Sequence, residues 1–185
     1  MAEYYLISQL PSLDGLGESS PLPISEESFL QLCERLLPKR MFTQMEKLTL
    51  SPDRFCDASG SDFIDAWNES EQSLRLALCK VRSEKMKVPF DLQNRNIPAH
   101  FVKAAAEAAE MENPMEAEKF LCRFRLASLE SIRPMDSFST QYIFYYGLKL
   151  KLIESIRKFD KQTGETVYRN IYNSILNGDG LEVKR

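Results

Sequence analysis

His100 is the single histidine of the chain, and it stands beside Phe101 at the start of an alanine-rich run. One imidazole excludes metal centres built from several histidines and the H-E-x-x-H arrangement, in which two imidazoles share a helix face. A Cys–His pair stays open, because its members need only meet in space. Nothing near His100 in the chain supports one, and a surface or capping role is the expectation. Cys33, Cys56, Cys79 and Cys122 are scattered, with no C-x-x-C and no neighbouring histidine, so neither a zinc site nor a disulfide framework is expected. Cys33 and Cys79 fall inside helical apolar patterns, where a thiol serves as a small core residue.

Carboxylates offer a second route to chemistry. Asp62, Asp65 and Glu69 are spaced i, i+3 and i+7 and share a helix face, with Asp57 just before them. Such a group could hold an acid–base pair of the glycosidase type. The same spacing also makes an ordinary acidic first turn that complements the helix dipole, and this is the expected reading. Gly15 and Gly17 form G-x-G without a third glycine or a helix directly behind them, and no G-K-[ST] occurs, so no phosphate-binding loop is expected. Basic residues gather at Lys80, Arg82, Lys85 and Lys87, at Arg123 and Arg125, and at Lys149, Lys151, Arg157, Lys158 and Lys161. The first and last groups lie toward predicted helix C-termini, where cations are favoured, and solvated faces are expected. No residue is assigned to catalysis, to a cofactor or to a metal, and the expectation is a protein that is not an enzyme.

These residues must be carried by helices. The chain has 185 residues, 43% hydrophobic and 28% charged, with a net charge of −3. Those are values for one globular domain, without a general attraction to nucleic acid. No apolar run approaches the ~18–20 residues that span a bilayer. MAEYYLISQLP lacks the basic start and long apolar core of a secretory signal, so a cytoplasmic location is expected.

The densest apolar stretch is Ser137–Asp160. Positions 138, 142, 145, 152, 156 and 159 form one stripe and 143, 146, 150 and 153 another, at spacings of three, four or their sum. This is helical periodicity wide enough to need cover from several neighbours. Around this central helix, about 137–160, the remaining elements read as follows. Residues 4–10 are a short apolar segment, strand or helix, ended by Pro11. Residues 11–24 form a loop rich in proline and glycine. Ser25 caps a helix whose face is Phe29, Leu32, Cys33, Leu36 and Leu37, with Ile24 and Phe29 as a hydrophobic staple. Met41–Leu50 adds a helical piece, and a long helix runs from Ser61 or Asp62 to about Met86 with Phe63, Trp67, Leu74, Leu78 and Val81 at helical spacing. The alanine-rich stretch after Pro98 is a strong helix former. Asn113-Pro114 restarts the chain as a helix bearing Phe120, Leu121, Phe124, Ala127 and Leu129. A last helix carries Val167, Tyr168, Ile171, Tyr172 and Ile175, with Gly164 as a bend or weak spot. The expectation is an all-α multi-helix bundle, one domain over 1–177, with a frayed tail over 178–185.

Three stretches also carry a resemblance. They are Tyr4-Tyr5-Leu6-Ile7-Ser8-Gln9-Leu10-Pro11, the loop Pro21-Leu22-Pro23-Ile24-Ser25 and the helix Phe29-Leu30-Gln31-Leu32-Cys33. With Tyr145-Tyr146-Gly147-Leu148-Lys149-Leu150 near the other end, they resemble an uncharacterised bacterial family encoded within operons for V/A-type ATPases. A more distant similarity is to the funnel-shaped socket component of those ATPases, which is helical, joins the rotor stalk to the proteolipid ring and is built from three modules. Leu10-Pro11 and the loop behind it interrupt what is a continuous first helix in such modules. The resemblance implies a non-catalytic accessory or central-stalk-like component, peripheral at the inner membrane face, whose partners are V/A-type ATPase subunits of the rotor stalk or proteolipid ring. Lys149, Lys151, Arg157 and Lys158 are the candidate contact residues. The rival expectation is a helical adaptor unrelated to the ATPase that uses the Tyr142–Tyr146 surface, and an enzyme with an unrecognised site ranks third.

Overall fold

The computed structural model describes residues 2–16, 21–52, 59–90, 96–157 and 161–176, and these form eight helices and no strand. They are α1 (Ala2–Gln9), α2 (Glu26–Leu36), α3 (Lys39–Glu46), α4 (Asp62–Met86), α5 (Ala99–Glu110), α6 (Pro114–Ser131), α7 (Thr140–Arg157) and α8 (Lys161–Leu176). The fold is all-α, as expected. The ambiguous segment 4–10 is helical, and α1 ends before Pro11, whose ring cannot continue a helix.

Local signals set the helix starts. Ser25 Oγ accepts from Ser28 N at 3.2 Å at the head of α2, and Asn113 Oδ1 accepts from Met115 N at 3.0 Å at the head of α6. The α7 start differs from expectation. Asp136 Oδ1 instead accepts from Phe138 N at 2.9 Å in a preceding turn, and Ser139 Oγ accepts from Tyr142 N at 3.2 Å. The helix therefore begins at Thr140, and Phe138 lies outside it and exposed. Its end is Arg157; residues 158–160 and the tail after Leu176 lie outside the described residues.

Helix α7 is central but not the longest, since α4 has 25 residues and α7 has 18. Every residue from Ile143 to Leu150 is buried. That requires cover on all sides, and α7 obtains it from α2, α4 and α6. Gly147 permits the closest approach. A Cβ there would stand 3.0 Å from Met45 Sδ and 3.1 Å from Phe29 Cε1, so the missing side chain is what lets α2 and α3 seat against α7. Ile24, packed against the core that contains Phe29, fits the expected staple.

The buried residues fall into two clusters. The larger gathers Leu6, Leu13, Phe29, Cys33, Met45, Phe63, Trp67, Leu129 and most of α7. The smaller gathers Leu74, Ala77, Val81, Phe101, Ala105, Ala108 and Leu121 where α4, α5 and α6 meet. Lys85 Nζ at the end of α4 donates to Ala109 O at the end of α5, and Ile97 lies beside Leu76. Helix α5 thus runs parallel to the second half of α4. Two expected core positions are on the outside: Cys79 and Ala127 are exposed, each lying off the arc of buried positions on its helix.

Candidate functional site

The charged flank of α7 is where contact residues were expected, and the structure uses much of it internally. Lys149 is 6% exposed. Its Nζ lies 2.5 Å from Asp14 Oδ1 and 2.7 Å from Glu130 Oε1, and donates to Tyr145 Oη at 3.2 Å. Tyr145 Oη in turn donates to Glu130 Oε1 at 2.7 Å. Tyr145 and Lys149 are one turn apart on α7, Glu130 lies in the last turn of α6, and Asp14 sits in a turn that Gly15 completes at φ 72°. The Arg133 guanidinium lies 5.5 Å from the Tyr145 ring centroid and 5.8 Å from that of Tyr142, a cation–π arrangement at the rim.

The electrostatics favour a permanently charged lysine. Burial works to lower the Lys149 pKa, but hydrogen bonds to Asp14, Glu130 and Tyr145 together outweigh it and hold the ammonium above the ordinary lysine range. Tyr145 is pushed up to about 12, first by burial and then by its bond to Glu130. Lys149 also lowers Asp14 through their hydrogen bond, against the opposing effect of burial. A nucleophilic or Schiff-base lysine needs its neutral amine, and this environment disfavours that form. What the arrangement does is fasten. Tyr146 Oη donates to Pro11 O at 2.9 Å, so Tyr146 and Lys149, one turn apart, hold Pro11 and Asp14 with Leu13 buried between them.

Lys151 is also engaged. Its Nζ donates to Leu48 O at 2.5 Å and pairs with Glu26 at 3.2 Å, while Glu154 Oε1 accepts from Glu26 N at 2.9 Å at the start of α2. Arg157 is half-buried at the end of α7, and Lys158 lies outside the described residues. Lys149 and Lys151 therefore correct the picture of a solvated basic flank: the fold spends Lys149 on the loop between α1 and α2 and on α6, and Lys151 on α2 and on Leu48 just after α3. Tyr145 and Tyr146 are buried and Tyr142 is half-buried, so the aromatic surface proposed for an adaptor is mostly covered within the monomer.

The other chemical candidates are dispersed. His100 is exposed, its ring 4.2 Å from that of Phe101. Asp65 Oδ1 accepts from Ser59 N at 2.9 Å, closing the loop before α4, while Asp62 and Glu69 are exposed and Asp57 and Cys56 lie outside the described residues. Among the described residues, no group of three histidine, cysteine or carboxylate side chains is placed to hold a metal. No helix among them is long and apolar enough to cross a membrane.

Two features escaped the sequence reading. One is the pair of buried Glu71 and half-buried Arg125, with Arg125 Nε donating to Glu71 Oε1 at 2.7 Å between α4 and α6. Burial raises the Glu71 pKa more than Arg125 and Arg75 lower it. The other is the surface of α8. Tyr168, Ile171 and Tyr172 are exposed at 68%, 55% and 52%, and the two tyrosine rings stack 6.2 Å apart.

Comparison with known proteins places the second half of the chain only. Residues 90–179 match the model of a family described as "Protein of unknown function (DUF2764)". The match takes in α5, α6, α7 and α8 and leaves out α1–α4. No curated protein and no solved structure matches the chain.

Proposed function

We propose that this chain acts by protein–protein contact, as a non-catalytic accessory or central-stalk-like component of a V/A-type ion-translocating ATPase. The observation that carries the contact reading is α8. Its Tyr168 and Tyr172 are exposed, with their rings stacked 6.2 Å apart. Exposed aromatic residues in a group mark binding surfaces, since each buries a large apolar area once covered. The identity of the partner rests on the resemblance of residues 4–33 and 145–150 described above. In this reading the protein sits at the inner membrane face through its partners. Contact through Lys149 and Lys151 is not part of it, because both are engaged within the fold.

The test is affinity recovery of the tagged protein from gently solubilised native membranes, read by mass spectrometry. Rotor-stalk or proteolipid subunits recovered in stable ratio support the reading, and their absence from every membrane and soluble fraction overturns it. A variant with Tyr168→Ser and Tyr172→Ser separates the two parts of the proposal. Loss of recovery with unchanged Tm assigns the contact to α8, whereas full recovery moves it elsewhere. Recovery of an unrelated protein through the same tyrosines favours the adaptor alternative.

A further inference from the structure

Helices α4 and α6 each serve both hydrophobic clusters. On α4, Phe63, Ile64 and Trp67 enter the larger and Leu74, Ala77 and Val81 the smaller; on α6, Leu129 enters the larger and Leu121 the smaller. The level between is polar. Ser70 Oγ and Ser128 Oγ share a hydrogen bond of 2.9 Å, and Arg125 Nε donates to Glu71 Oε1 at 2.7 Å. Beside them, Arg75 Nη1 donates to Pro52 O at 2.7 Å. Glu71 is 2% exposed, and its second carboxylate oxygen has no hydrogen-bond partner among the described residues. A buried carboxylate with half its acceptor capacity unused is an imperfectly satisfied group, and such groups weaken the interface that holds them. The smaller cluster is itself modest, since Ala77, Ala105 and Ala108 bury little apolar area each.

We propose that this polar layer is a joint. The unit formed by α5, the second half of α4 and the first half of α6 unfolds cooperatively as one local unit while the larger core around α7 stays folded. The opening breaks Ser70–Ser128 and Glu71–Arg125 and exposes the polar layer to water, which rehydrates the Glu71 carboxylate. Two cores that share helices but no buried residue can lose their packing one at a time, the smaller before the larger. This inference stands apart from the partner proposed above.

Native-state hydrogen exchange of the full chain, followed by mass spectrometry in rising sub-denaturing urea, tests it. Amides of 74–86, 99–110 and 114–124 are expected to converge on one opening with protection at least about tenfold below that of 143–153. A single common opening for all these segments overturns the joint, and so does separate fraying of the three segments. A second variant, Glu71→Leu with Arg125→Leu, replaces the polar layer by apolar contact. Protection of 99–110 rising to that of 143–153 supports the layer as the cause; unchanged protection there overturns it. Should that variant not fold, the comparison within the natural chain still decides.

Discussion

The ammonium of Lys149 stands 2.5 Å from the carboxylate of Asp14, a residue 135 positions earlier in the chain. The pair is asymmetric. The Lys149 side chain is 8% exposed and that of Asp14 is 59% exposed. Each partner therefore stands to lose something different when the other is removed, and the consequences can be measured.

Removing both acids should do more harm than removing the lysine. Asp14→Asn with Glu130→Gln leaves a buried cation without a counter-charge, and a loss of about 3–5 kcal/mol is expected. Lys149→Met leaves two carboxylates that water can reach and restores an apolar volume, so about 1 kcal/mol is expected. Urea unfolding of both variants checks the order, and a larger loss for Lys149→Met would refute it.

Falling and rising pH should weaken the fold through opposite groups, Asp14 on the acid side and Glu71 on the other. Asp14 is held below the usual carboxylate range, chiefly by its hydrogen bond from Lys149, with burial opposing and the Lys149 and Arg133 charges assisting. Its contribution is present above the ordinary carboxylate pKa and fades as pH falls through the lowered one. Glu71 is raised by burial against Arg125 and Arg75, so its contribution is greatest when protonated and declines as pH rises from the ordinary range through the raised value. In a Tm-against-pH series, Asp14→Asn should flatten the acid limb, and Glu71→Gln should remove the decline on the other side.

Gly147→Ala sets two effects against each other. Alanine gains about 1 kcal/mol of helix propensity over glycine. Its Cβ would meet Met45 Sδ at 3.0 Å and the Phe29 ring at 3.1 Å, and overpacking of this kind costs about 1–3 kcal/mol. The expected net is a loss of about 1 kcal/mol by urea unfolding. A stabilised variant would mean that the flexible Met45 side chain gives way.

The thiols should separate by reactivity. Cys79 is exposed, whereas Cys33 is buried and its thiol is pushed up to about 12 by that burial. Cys122 is also buried and raised by it, with Arg125 opposing. A thiol-specific reagent, followed by peptide mapping, should modify Cys79 well before Cys33 and Cys122, because the thiolate is the reactive form. Early labelling of Cys33 would place it nearer the surface than the structure does.

Much of the local organisation is legible in the sequence. Ser25 and Asn113 announce their helices because a cap is a bond between near neighbours, and α4 matches its expected limits because its apolar spacing is unbroken in period. The segment 4–10 could not be assigned, since seven residues suit a strand and a helix alike. The two buried charges leave a trace in the sequence. The α4 stripe jumps from Trp67 to Leu74 and the α7 stripe from Tyr145 to Leu152, and the skipped positions on those faces are Glu71 and Lys149.

By itself, then, the sequence determined an all-helical chain, where most of its helices begin, and which faces turn inward, because caps, prolines and periodicity act over a few residues. Only the tertiary structure decided that Lys149 is bonded to Asp14 and Glu130 within the fold, that Glu71 meets Arg125, and that Tyr168 and Tyr172 are exposed. Those outcomes depend on which distant residue arrives opposite each position, and a charge on an apolar face reads the same until its counter-charge is in place.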